Sequence, residues 1–137
     1  MSNIIEKLNC IKDLEKVGGC SISQIELAEK ELNITFPNEY IEFLKEFGTI
    51  RFSSKEWFGL NVSGYLNVVE ATKQERSVNK NFPLDSFVLE DLGIDAKLII
   101  VNEKGQVFLI QIDKKEFLYN SLSEYLDICI ARNNKTV

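Results

Sequence analysis

Histidine is absent from this chain of 137 residues. Without it there can be no Ser-His-Asp or Cys-His nucleophile pair and no imidazole metal ligand. The commonest general base near neutral pH is missing too. Chemistry by carboxylates, Lys, Tyr or Cys stays open. Cysteine is scarce, with only Cys10, Cys20 and Cys129. No C-x-x-C occurs, so neither a zinc knuckle, a redox pair nor a disulfide framework is signalled. Cys129 falls on the apolar stripe of an expected helix and reads as a small buried hydrophobe. An odd number of thiols suits a reducing compartment. Long apolar runs are missing as well. Stretches such as Leu98–Val101 fall far short of the ~20 residues a membrane helix needs. Met1 to Lys7 lacks a cationic stretch followed by an apolar run, so no signal peptide is read and the expected location is cytoplasmic.

Cations are in deficit. Sixteen Lys and Arg face 21 Asp and Glu, a net charge of −5. That balance argues against nucleic-acid binding, which draws its affinity from a basic surface that releases counterions. The phosphate-loop pattern G-x-x-x-x-G-K-[ST] is missing, and no basic–aromatic interleaving of an RNA reader is present. What is present is the balance of one globular domain over residues 1–137, 45% hydrophobic and 27% charged,.

The first half reads as helices. Ile4, Leu8 and Ile11, with Ile5 and Leu14 beside them, predict an amphipathic helix over 3–17, ended by Gly18-Gly19. Ser23-Gln24-Ile25-Glu26 reads as a capping box, followed by an inward face of Ile25, Ala28 and Leu32. Phe36-Pro37 breaks the chain before a third helix carrying Tyr40, Phe43, Leu44 and Phe47, stopped at Gly48. The second half reads mostly as strands. Phe52 and Trp57–Leu60 are short and aromatic-rich, around Ser53-Ser54-Lys55. Val68 to Val78 is a helix, and Phe87–Leu89 a short strand. Leu98–Val101 and Val107–Ile110 flank Asn102–Gly105 as a hairpin of central strands. Ser121-Leu122-Ser123-Glu124 caps a closing helix with Leu122, Tyr125, Leu126, Cys129 and Ile130 inside. Residues 132–137 are expected to fray. The fold class is therefore α+β, with N-terminal helices and a C-terminal helix packed on one mainly antiparallel central sheet.

The ordered marks carry a resemblance. Ser23–Glu26 leads through Glu29 to Leu32-Asn33-Ile34, then Phe36-Pro37-Asn38-Glu39-Tyr40, Phe43-Leu44 and Phe47-Gly48. Trp57–Leu60, Val69–Thr72 with Arg76, Phe82-Pro83, Val88, Gly93–Asp95, Gly105–Val107 and Ser121–Leu126 follow. Over about residues 20–130 the chain resembles the SUKH superfamily, which includes bacterial toxin-immunity proteins and a fungal cell-wall-synthesis regulator. The resemblance implies a small intracellular binder, not an enzyme, whose partner is a cognate protein toxin. It also leaves open a cytoplasmic scaffold or regulatory domain with no toxin partner. No catalytic residue is carried over, and no cofactor or metal is implied.

Two acidic stretches are the candidate contact chemistry. Residues 26–46 hold six Glu against Lys30 and Lys45, and residues 85–95 hold Asp85, Glu90, Asp91 and Asp95 without a cation. The alternating ligand pattern of a calcium loop is absent from the latter. A solvated, solubilising face is the plain alternative for both. Complementarity to a basic partner, such as a nuclease whose groove holds phosphates, is the functional one. Trp57 is the sole tryptophan; a partly buried core aromatic is its plain reading, and an interface anchor, since Trp and Tyr dominate binding hot spots, its functional one,. The expected partner-binding set is therefore Glu56, Trp57, Phe58, Asp85, Glu90, Asp91 and Asp95, with no catalytic or metal-binding residue.

Overall fold

A computed structural model describes residues 3–135. Helix α1 is Asn3–Asn9, much shorter than the 3–17 span that its apolar spacing predicts. Ile11 and Leu14 still pack against the core, but from a turn in which Asp13 adopts a φ of +63°. The chain then lies beside another segment, so its polar backbone is satisfied by pairing instead of by helix. Glu15–Lys16 forms β1 opposite Arg51 and Ile50.

Helix α2, Ile22–Leu32, starts two residues before the expected box. Ser21 Oγ accepts from the Gln24 N–H at 3.2 Å, and Gln24 Oε1 accepts from the Ser21 N–H at 2.8 Å. Ser23 and Glu26 lie inside the helix and exposed. Helix α3, Asn38–Glu46, follows Pro37, and its inner face of Tyr40, Phe43 and Leu44 is fully buried. The Tyr40 hydroxyl donates to the Phe58 carbonyl at 2.6 Å, so this deeply placed polar group is paired,.

Strands β2 (Ile50–Phe52) and β3 (Lys55–Trp57) complete a three-stranded antiparallel sheet with β1. Beyond β3, the backbone of Gly59 presses on that of Gly48. A Cβ at Gly59 would stand 1.7 Å from the Gly48 oxygen, so only glycine fits there,. Helix α4, Val68–Val78, spans the residues its sequence predicts.

Four consecutive strands then form an antiparallel sheet: β4 (Ser86–Asp91), β5 (Lys97–Asn102), β6 (Val107–Gln111) and β7 (Lys114–Tyr119), in that order. Leu98–Val101 and Val107–Ile110 are the two central strands, as read from the sequence. The α+β class holds, but the expected single sheet is two. Leu89 is an extra residue in the β4–β5 register, which bulges between Val88 and Glu90. Its carbonyl accepts from the Phe58 N–H at 2.7 Å, a bond that links the two sheets,.

Helix α5, Leu122–Lys135, closes the core against α1, α3 and β7. Residues 132–135, expected as frayed tail, are helical; Thr136 and Val137 lie outside the described residues. An aromatic chain runs through the interior. Phe87 touches Phe36 and Tyr40, Tyr40 stacks on Phe43, and Phe43 meets Trp57 edge-on.

Candidate functional site

Asn67 fixes the start of α4. Its Oδ1 accepts from the N–H groups of Val69 at 2.9 Å and Glu70 at 3.1 Å, an N-cap of the preferred kind,. Val68, Val69 and Thr72 turn inward. Thr72 Oγ1 accepts from the Val88 N–H at 3.0 Å and so locks α4 to the outer edge of β4. Farther along, Arg76 donates to the carbonyls of Leu32 at 2.9 Å and Leu84 at 3.1 Å, tying α4 to the end of α2. Burial lowers the Arg76 pKa from its ordinary value.

These ties leave a cleft between the outer side of α4 and β4, with a volume of about 340 Å³. Phe58, Val88 and Leu98, all buried, form its floor, and exposed Glu70, Asp91 and Tyr65 its rim, with Glu75 half-buried between them. Among the described residues that line it, three are carboxylates and none is a cation. Burial raises the Glu75 carboxyl above its ordinary pKa, and the neighbouring Asp91 charge raises it further,. Tyr65 stands edge-on to Phe58 at 6.4 Å. Its hydroxyl donates to the Glu56 carboxylate at 3.1 Å, which together with the Glu56 charge raises the phenol pKa. Arg51, within electrostatic reach of that pair, is held by Glu15 at 2.6 Å.

The seven residues expected to contact a partner separate into three groups. Asp91 and Phe58 line the cleft, and Glu56 joins them through Tyr65. Asp85 and Asp95 are exposed but sit on other turns; the Asp85 carbonyl takes the Glu103 N–H and the Asp95 carbonyl takes Gln111 Nε2. Trp57 and Glu90 are interior. Trp57 is fully buried, stacked on Tyr125 with 10° between the planes. Glu90, 3% exposed, accepts from Lys55 Nζ at 3.0 Å and from the Tyr125 hydroxyl at 2.5 Å. In the folded chain neither can touch a partner, so both leave the contact set.

The cleft also contains three residues the sequence reading passed over: Tyr65, Glu70 and Glu75. A signal existed, because Glu70, Gln74 and Glu75 share the polar side of a well-marked helix. The acidic stretch 26–46 is partly internal bookkeeping. Glu29 accepts from the Phe36 N–H, Glu31 lies 3.5 Å from Lys73, and Glu39 binds the start of α5. Among the described residues no cluster of His, Cys, Asp and Glu could hold a metal ion, and no helix is long and apolar enough to cross a membrane.

The chain is thus an α+β domain of helices packed on two antiparallel sheets, with an apolar-floored, carboxylate-rimmed cleft beside α4. The family SUKH_5, described as SMI1-KNR4 cell-wall, matches residues 1–131, and the chain belongs to it. The match takes in α1, which precedes the 20–130 span of the sequence resemblance. No curated protein matches the chain.

Proposed function

We propose that the protein is a cytoplasmic immunity protein that binds a cognate toxin domain and occludes its active site. The observation that carries this reading is the cation-free cleft between α4 and β4, in a chain of the SUKH_5 family. A basic toxin surface, such as the phosphate-holding groove of a nuclease, is its electrostatic complement. Occlusion requires no proton transfer, which suits a chain without histidine. The contact set becomes Glu56, Phe58, Tyr65, Glu70, Glu75 and Asp91, with Asp85 and Asp95 as outlying charges.

A second reading is favoured by the family's own description, SMI1-KNR4 cell-wall. It makes the domain a regulatory or scaffold module with an endogenous partner and no toxin. Co-expression with the toxin domain encoded beside its gene separates the two. Rescue of growth together with a co-purifying one-to-one complex supports immunity. Lack of a neighbouring toxin, or of any rescue, rejects immunity in favour of the regulatory module.

A further inference from the structure

We infer that the α4–β4 cleft takes one arginine side chain from a protein partner, its guanidinium among the Glu70, Glu75 and Asp91 carboxylates and its stem on Phe58 and Leu98. This rests on the reading of the chain as a protein binder and names what that surface recognises. An open cleft of about 340 Å³ has room for one long side chain. The chemistry fits a cation with an apolar body. The floor is aromatic and aliphatic, while the rim is anionic without a cation of its own among the described residues.

Glu75 and Asp91 already repel each other across this space, and a guest cation relieves that repulsion,. Arginine suits the site better than lysine. Its planar head is more weakly hydrated, forks between carboxylates and packs on aromatic faces. Tyr65, 68% exposed yet steadied by Glu56, supplies such a face. Deeper carboxylates are unavailable, because Glu90 is held by Lys55 and Tyr125.

The test is a titration of the isotope-labelled full chain with acetyl-Gly-Arg-Gly-amide, read by amide chemical shifts. The expected result is a saturable response at Ala71, Gln74 and Leu98, with a dissociation constant on the order of 1 mM. The uncharged citrulline peptide should bind at least tenfold more weakly, and the lysine peptide should bind more weakly than the arginine one. The double variant Glu70→Gln, Asp91→Asn should weaken arginine binding at least tenfold, whereas Glu116→Gln, on the exposed β7 edge away from the cleft, should leave it unchanged. Equal binding of the citrulline or lysine peptide, shifts centred elsewhere, or no saturation by tens of millimolar overturns the proposal. Toxin neutralisation that survives the double variant with undiminished affinity also overturns the arginine anchor and leaves immunity standing. A full arginine response in a chain that neutralises no toxin supports the anchor and rejects immunity.

Discussion

The Glu39 carboxylate accepts hydrogen bonds from the backbone N–H groups of Leu122, at 2.9 Å, and Ser123, at 3.3 Å. A residue near the start of α3 thereby caps α5. Ser121 Oγ takes the next donor, the Glu124 N–H, at 3.1 Å. The first three N–H groups of α5 are all satisfied, and a negative charge sits at the positive end of its dipole. Replacing Glu39 with Ala should cost about 1–2 kcal/mol, and with Gln less, since the amide keeps one acceptor. Urea unfolding followed by circular dichroism checks this; an unchanged midpoint for E39A would mean that water serves the helix end equally well.

Lys55 and Glu90 form an ion pair with side chains 20% and 5% exposed. Removing one partner strands the other. Lys55→Met should cost roughly 3–5 kcal/mol, because the carboxylate stays inside with only the Tyr125 hydroxyl. The double variant K55M/E90Q should recover most of that loss. A double-mutant cycle that shows no coupling would refute the pairing as a stabilising unit.

Ile112 occupies the β6–β7 turn with a φ of +57°, a conformation that strains a β-branched residue,. Its side chain is 65% exposed, so little burial offsets the strain. The turn is nonetheless held, since Asn79 Nδ2 donates to the Ile112 carbonyl at 2.8 Å. Ile112→Asn should stabilise by about 1 kcal/mol, the scale of the left-handed penalty. Thermal melting of the variant at or below the parent temperature would contradict this.

Glu75 gives a pH dependence with a definite sign. Its carboxyl is harder to ionise in the folded chain than in the unfolded one, because of burial and then Asp91. The folded state therefore holds its proton to higher pH, and stability falls as pH rises from the unfolded value, about 4.3, through the folded one. Glu75→Gln should be more stable than the parent at pH 7. The advantage should vanish below about pH 4, where both states are protonated. Denaturation series at the two pH values check this; an equal difference at both would mean that Glu75 ionises alike in the folded and unfolded chain.

Salt reports on the partner surface. If the carboxylates of the cleft steer a basic toxin, raising ionic strength from 0.05 to 0.5 M, values chosen to span the roughly 10 Å screening length at 0.1 M, should slow association by about tenfold while dissociation changes less. Stopped-flow mixing gives both rates. A salt-independent association would move the interface to an apolar face.

Local patterns read true where local rules decide the outcome. The limits of α4 and the Leu98–Val101 and Val107–Ile110 hairpin are visible because their apolar spacing and turn residues agree. The α2 cap is displaced by two residues because Ser21-x-x-Gln24 and Ser23-x-x-Glu26 both satisfy the same rule. The position is settled instead by Cys20, whose N–H donates to the Leu44 carbonyl of α3 at 2.9 Å. Strand β7 escapes a hydrophobicity reading because Lys114-Lys115-Glu116 is a charged edge, the usual guard against strand addition. The burial of Glu90 is illegible for a different reason. Its partners, Lys55 and Tyr125, each lie 35 residues away, and nothing in the acidic run 85–95 distinguishes it from its neighbour Asp91. The cleft inherits that difficulty, for Phe58, Glu75 and Asp91 meet only once α4 has been pinned to β4.

The contact between α1 and α5 has a bearing on how the chain is made. Lys7 pairs with Asp127 at 3.0 Å and Leu8 is fully buried, so α1 seats itself between α3 and the last helix of the fold. During synthesis α3 is available early, while α5 leaves the ribosome after every other element. The first helix must wait with half of its docking surface missing, and Glu39 must wait for the helix end that it caps. The meander β4–β7 is different, being built from hairpins between neighbours that close over short loops. The emergence of α5 thus completes the seat of α1 beside a sheet able to form before either helix is docked,.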